Sequence, residues 1–194
     1  MRCESFDTAR VGCYNDNSNG PHRTDKREYT ALAVTGPLVR IVAPAIGLDA
    51  PVVPVGRKRI TLNDDTITVW EVATQAAGWH EDSAAPGMEG NVVLSEHHDK
   101  DGEAFRYVVD LEPGDTVTLY TEERPYTYTV EARFVVRDKG MPEETRRENA
   151  RWIGSYPDQR VTLVTCWPYS TNTHRVIVVA RPGRYPAYAQ PPTR

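Results

Sequence analysis

Val161-Thr-Leu-Val-Thr-Cys166-Trp-Pro-Tyr169, a loop Ser170-Thr-Asn-Thr173 and then His174-Arg-Val-Ile-Val-Val-Ala180 form the most informative stretch of this chain. Residues 161–164 and 176–180 are nearly continuous apolar runs rich in β-branched side chains, the pattern of strands buried on both faces. Proline cannot donate to a ladder, so the first run breaks at Pro168 and leaves Cys166 where the backbone departs the sheet. If the loop is a hairpin connection, Arg175 starts a strand antiparallel to the cysteine strand. A thiol in that place is a candidate nucleophile. At an ordinary pKa of about 8.5 only a few per cent of it is thiolate at neutral pH, so it needs a partner. A guanidinium on the facing strand supplies fixed N–H donors to a developing oxyanion. The bland reading of Arg175 is a surface arginine paired with a carboxylate.

Working outward, short runs rich in Val, Ile, Thr and Tyr recur over 38–43, 50–55, 67–72, 91–95, 116–121, 126–136, 160–166 and 174–180. Clusters of Pro, Gly, Asp and Asn separate them, which is the signature of an all-β domain. Two stretches read as helical, 104–111 and 142–153. In the second, Pro142 suits the first turn, and Glu143 and Glu144 favour the positive end of the helix. Eight strands and two short helices predict an all-β barrel, closed or partly closed, rather than a doubly wound sheet. Residues 1–36 are polar and poor in branched aliphatics, so they read as a disordered leader. Residues 37–183 form the expected domain. Residues 184–194, with prolines at 186, 191 and 192, read as an extended tail.

Composition excludes several classes. The chain has 194 residues, a formal charge of -4 and no basic field that would argue for nucleic acid. Its three cysteines, at 3, 13 and 166, are too few for a disulfide scaffold or a four-cysteine zinc site. Cys3 and Cys13 read as exposed leader thiols, with a small disulfide-closed loop as the alternative. No window has the ~18 apolar residues that a membrane-spanning helix needs, so a membrane anchor, if the protein has one, lies outside this sequence.

Three histidines compete for the role of the thiol's partner. His97 and His98 follow the run Asn91-Val-Val-Leu-Ser95, and His174 precedes Arg175. Here the sequence resembles a known family. Thr162-Leu-Val-Thr-Cys166, Pro168-Tyr169 and Asn172-Thr-His-Arg175 are similar to the cysteine and arginine signature of the bacterial sortases. Gly90-Asn-Val-Val-Leu-Ser-Glu-His97 resembles the family's histidine strand, and Phe105 and Leu111-Glu-Pro-Gly-Asp115 fit its spacing. The resemblance runs from about residue 38 to residue 181 and implies an eight-stranded sortase barrel. It implies a cysteine transpeptidase with Cys166 as nucleophile, His97 as acid and base and Arg175 at the oxyanion, while His98 is the fallback. Thr165 and Trp167 beside the cysteine are candidates for substrate contact, Trp167 through its backbone N–H. Glu96 stands where the family usually has glycine. Its carboxylate either raises the imidazole's affinity for a proton or points to solvent, and strand alternation favours solvent.

The resemblance further implies partners: secreted proteins with a C-terminal Leu-Pro-X-Thr-Gly-like sorting signal, and an amine acceptor from a cell-wall precursor or a pilin. It implies a place on the extracytoplasmic face of the bacterial membrane. No Asp-Pro-aromatic lid motif precedes the barrel, which favours wall anchoring over pilus assembly. No cofactor and no metal are expected. The run His97-His-Asp-Lys-Asp-Gly-Glu103 offers a rival metal site, but a calcium loop needs more oxygen ligands. A barrel that binds peptide or wall polymer without catalysis is the second rival. An L,D-transpeptidase is disfavoured because its Ser-His-Gly-Cys kind of motif is missing. Trp70, Trp79 and Trp152 read as core or rim packing, His80 as a loop residue and His174 as structural.

Overall fold

The cysteine and arginine runs are adjacent antiparallel strands in the computed structural model, which describes residues 36–62, 65–71, 73, 75–96 and 103–183. All of these lie within one compact unit. The strands are β1 (Leu38–Ala43), β2 (Leu48–Val55), β3 (Arg57–Leu62), β4 (Asp65–Trp70), β5 (Ala77–His80), β6 (Gly90–Ser95), β7 (Thr116–Thr121), β8 (Pro125–Arg137), β9 (Gln159–Trp167) and β10 (His174–Pro182). Eight of them close a barrel in the order β1-β2-β5-β6-β9-β10-β8-β7, and β3 and β4 form a separate hairpin. The barrel expected from the sequence is therefore present, but its membership differs. Residues 67–70 of the run expected over 67–72 belong to the hairpin, and β5, which was not expected, takes that run's place in the barrel. Helix α1 (Glu143–Ala150) continues into a 3-10 turn at Arg151–Ile153. The helix expected over 104–111 is only a turn followed by a 3-10 helix at Val108–Asp110. It has no side-chain cap at Tyr107 and runs directly into Leu111-Glu-Pro, so nothing favours its extension. The expected leader and tail, with Cys3 and Cys13, lie outside the described residues.

Two pairings are parallel, β2–β5 and β6–β9, and the other barrel pairs are antiparallel. The β6–β9 pair brings the C-terminal ends of both strands to the same rim, with Leu94 beside Leu163 and Ser95 beside Val164. Because β10 is antiparallel to β9, its N-terminal end lies at that rim too, with Arg175 directly opposite Cys166. Strand alternation then separates two faces. Val92, Leu94, Val161, Leu163, Val176 and Val178 fill the barrel interior. Ser95, Val164, Cys166, Ile177 and Arg175 lie on the outer face and line a cavity there.

Candidate active site

The cavity has a volume of about 650 Å³. The outer face of β6, β9 and β10 forms its floor. One wall is Trp70 from the hairpin, stacked on His80 of β5 with ring centroids 3.7 Å apart. The opposite wall is α1 and the turn after it, through Asn149, Ala150, Trp152 and Ile153. Asn91 of β6 pins this wall to the barrel. Its Nδ2 donates to the carbonyls of Trp152 and Gly154, both at 3.0 Å, and its Oδ1 accepts from the Thr162 hydroxyl at 2.7 Å. Trp152 is also stacked on Phe134 of β8.

Cys166 is half-buried at the rim of the floor. Arg175 Nη1 donates to its sulfur at 2.6 Å, and Arg175 Nη2 pairs with Asp138 Oδ2 at 3.2 Å. A guanidinium this close to a sulfur favours the thiolate over the thiol. Fixed guanidinium N–H donors of this kind are the groups that can stabilise an oxyanion in acyl transfer. The structure therefore brings Cys166 and Arg175 together. His97 and the fallback His98 lie outside the described residues.

Thr165 faces away from Cys166 and is buried, with its hydroxyl donated to the Glu96 carbonyl at 2.8 Å. Trp167 is half-buried against the barrel core, and the peptide bond from it to Pro168 is cis. The solvent reading of Glu96 is corrected: it is 4% exposed, and Oε2 accepts the Phe105 N–H at 2.6 Å. It continues the inward-facing set of β6 past the strand's end, under the turn at 104–107. Burial pushes its carboxyl up to about 7, against the partly compensating backbone N–H bonds from Phe105 and Ala104. Its Oε1 has no partner among the described residues.

His80 is likewise not a loop residue. It ends β5, is 3% exposed and shares a 2.8 Å hydrogen bond through Nε2 with the Ser95 hydroxyl. Burial pushes its imidazole down to about 4, so it is neutral at physiological pH. His174 is tied to the Thr173 hydroxyl at 2.8 Å, in keeping with a structural role. Trp79 packs on the barrel core and donates to the Ala84 carbonyl.

A family model described as the sortase domain matches residues 41–183. This chain belongs to the sortase family. Sortase SrtE1 of Streptomyces coelicolor is 30% identical over 93 residues, which are 46% of this chain and 25% of that relative. The match thus spans only a quarter of the curated relative's length. Among solved structures, sortase A of Listeria monocytogenes superposes with a TM-score of 0.56 at 21% identity, covering 76% of this chain and 87% of that one. Sortase C1 of Streptococcus suis superposes with a TM-score of 0.56 at 23% identity, covering 79% of this chain and 76% of that one. Both neighbours carry the fold.

Asp138, Asn149, Asn91 and His80 are the contributors to this sortase's site that sequence reading missed. Asp138 and Asn149 carry no motif, one lying just before the expected helix over 142–153 and the other within it. Asn91 lies within the run 91–95, where nothing in the sequence distinguishes an asparagine that bonds to Trp152, Gly154 and Thr162 from an ordinary strand residue. No helix among the described residues is long and apolar enough to cross a membrane.

Proposed function

We propose that this sortase is a cysteine transpeptidase that cleaves a Leu-Pro-X-Thr-Gly-like signal. The observation that carries the reading is the 2.6 Å approach of Arg175 Nη1 to Cys166 Sγ at the edge of the cavity. The Cys166 thiolate attacks the threonine carbonyl, and Arg175 donates to the oxyanion. The C–N bond to glycine breaks as His97 protonates the departing amine, leaving a thioester on Cys166. An incoming amine then attacks the thioester, His97 takes its proton, and the thiolate is regenerated. His97 is assigned over His98 by strand arithmetic. Ser95 pairs with Val164, and two residues beyond each lie His97 and Cys166.

The apolar wall of Trp70, Trp152 and Ile153 suits the apolar start of such a signal, held N-terminal to the scissile bond. The acceptor is assigned as an amine of a cell-wall precursor or a pilin, and the site of action as the extracytoplasmic face of the membrane. Incubation with Leu-Pro-X-Thr-Gly peptides should give an acyl adduct on Cys166 by mass spectrometry. Adding diaminopimelate-type or lysine-type amines should release it as the matching amide, which also separates wall anchoring from pilin joining. Robust cleavage by Cys166→Ala, or binding without any adduct across the panel, would sink the assignment.

A further inference from the structure

We propose that Asp138 is a positioning residue that holds the Arg175 guanidinium with Nη1 aimed at the Cys166 sulfur. This rests on the reading of Cys166 and Arg175 given above. A lone arginine at a strand's start keeps several rotatable bonds, and fixing it costs side-chain entropy. Arg175 is 36% exposed, so packing alone does not lock it. Its two Nη atoms instead have separate partners, the sulfur for Nη1 and Asp138 Oδ2 for Nη2. A planar fork gripped by one prong presents the other in a defined direction.

Asp138 is itself well held, with a side chain only 13% exposed. Its N–H donates to the Thr173 carbonyl at 3.0 Å, two residues before Arg175, so the two side chains start from backbones tied together. Its Oδ1 accepts from Asn149 Nδ2 at 3.3 Å, and the same amide donates to the Arg137 carbonyl at 2.7 Å. Asp138 is thus fixed from the barrel side by the loop before β10 and from the cavity side by α1. A carboxylate that served only to join α1 to the barrel would have no need to face the guanidinium.

The charge of Asp138 acts against its geometry. A carboxylate beside the guanidinium weakens the positive field at the sulfur, which disfavours the thiolate. Removing charge and removing geometry therefore have opposite effects on Cys166, and the two can be separated. Asp138→Asn keeps an oxygen acceptor for Nη2 and removes the charge. Asp138→Ala removes both. The other charged groups around the cavity, Lys58, Glu96 and Arg146, are the same in every variant.

The test uses the full chain, with peptide-cleavage kinetics and the pH dependence of Cys166 alkylation by iodoacetamide. For Asp138→Ala, kcat is expected to fall ~10- to 100-fold with KM within about 2-fold, and the alkylation midpoint to rise by ~1 pH unit. For Asp138→Asn, kcat is expected to fall less than ~10-fold and the midpoint to move down. In an Arg175→Ala background, Asp138→Ala should cause no further fall in kcat, because the positioning acts through the arginine. If Arg175→Ala is impaired while both Asp138 variants keep wild-type kcat and midpoint, the positioning role is overturned and the arginine's role stands. If Arg175→Ala itself turns over normally, the underlying reading fails and takes this one with it. Should Asp138→Ala not fold, Asp138→Glu decides, because it keeps the charge and displaces the acceptor: a lowered kcat with a raised midpoint supports the proposal, and wild-type kcat and midpoint overturn it.

Discussion

Replacing Glu96 with Gln should reverse the sign of its effect on stability between acid and mildly alkaline pH. In the folded protein burial pushes this carboxyl from an ordinary 4.5 up to about 7. Between those values the native state holds a proton that the unfolded chain has released. Stability therefore falls as pH rises through that window, and the full penalty is present above it. About two and a half units at 1.36 kcal/mol each amount to ~3 kcal/mol at pH 8. Glutamine cannot ionise, so it abolishes this loss and still accepts from the Phe105 N–H. It also places an amide donor where Oε1 has no partner, at a pH-independent cost of about 1 kcal/mol or more. The Glu96→Gln variant should then be the less stable form at pH 4 by ~1 kcal/mol and the more stable form at pH 8 by ~2 kcal/mol. Urea denaturation at both pH values measures this. With a slope of about 2 kcal/mol/M, the relative midpoint should shift by ~1.5 M between them. All other titrating groups cancel in the difference between the two proteins. A difference between wild type and variant that is the same at pH 4 and pH 8 would refute the buried-carboxylate argument.

Three further substitutions test the site's construction. Asn91→Ala removes three hydrogen bonds and leaves the Thr162 hydroxyl without its acceptor; a loss of ~2–4 kcal/mol in chemical denaturation is expected, together with a raised KM as the Trp152 wall loosens. His97→Ala should lower kcat at least ~100-fold while His98→Ala stays within a few-fold, as read by peptide cleavage; the reverse order would transfer the acid–base role to His98.

The sequence carried the barrel through its most regular strands. Residues 38–43 and 116–121 have the β-branched composition that a half-buried strand requires, and both appear at those bounds. The misplaced strand has a physical cause. β5 is Ala-Gly-Trp-His, with no β-branched residue, and its composition is set by crowding rather than propensity. A Cβ at position 78 would sit 2.9 Å from Val55 Cγ1, so the parallel pairing with β2 requires glycine. That same glycine erases the strand signal. Run 67–72, in contrast, shows strand composition, but its residues 67–70 pair with β3 in the separate hairpin. Cys166 and Arg175 were legible because one hairpin carries both. Asp138 pairs with Arg175 and His80 lines the cavity from other strands and loops, through contacts that no local pattern encodes. Glu96 was misread for a related reason. Alternation along β6 fixes which face it takes, but whether that face meets solvent depends on the turn at 104–107 folding over the barrel end.

The site also explains why one parallel pairing matters in a mostly antiparallel barrel. With β6 antiparallel to β9, residues following Ser95 would emerge at the end of the barrel opposite Cys166, some 20 Å away for strands of six residues or more. Parallel pairing requires a long crossover between the two strands, and here it comprises β7, β8 and α1. That crossover supplies Asp138 at the end of β8, Asn149 on α1 and the Trp152 wall after it. The chain between β6 and β9 thus carries the carboxylate that pairs with Arg175 and one wall of the cavity. A shortened crossover would leave the β6 and β9 ends at the same rim yet lose the arginine's support, so kcat should respond to changes at 138–154 even where the barrel itself is intact.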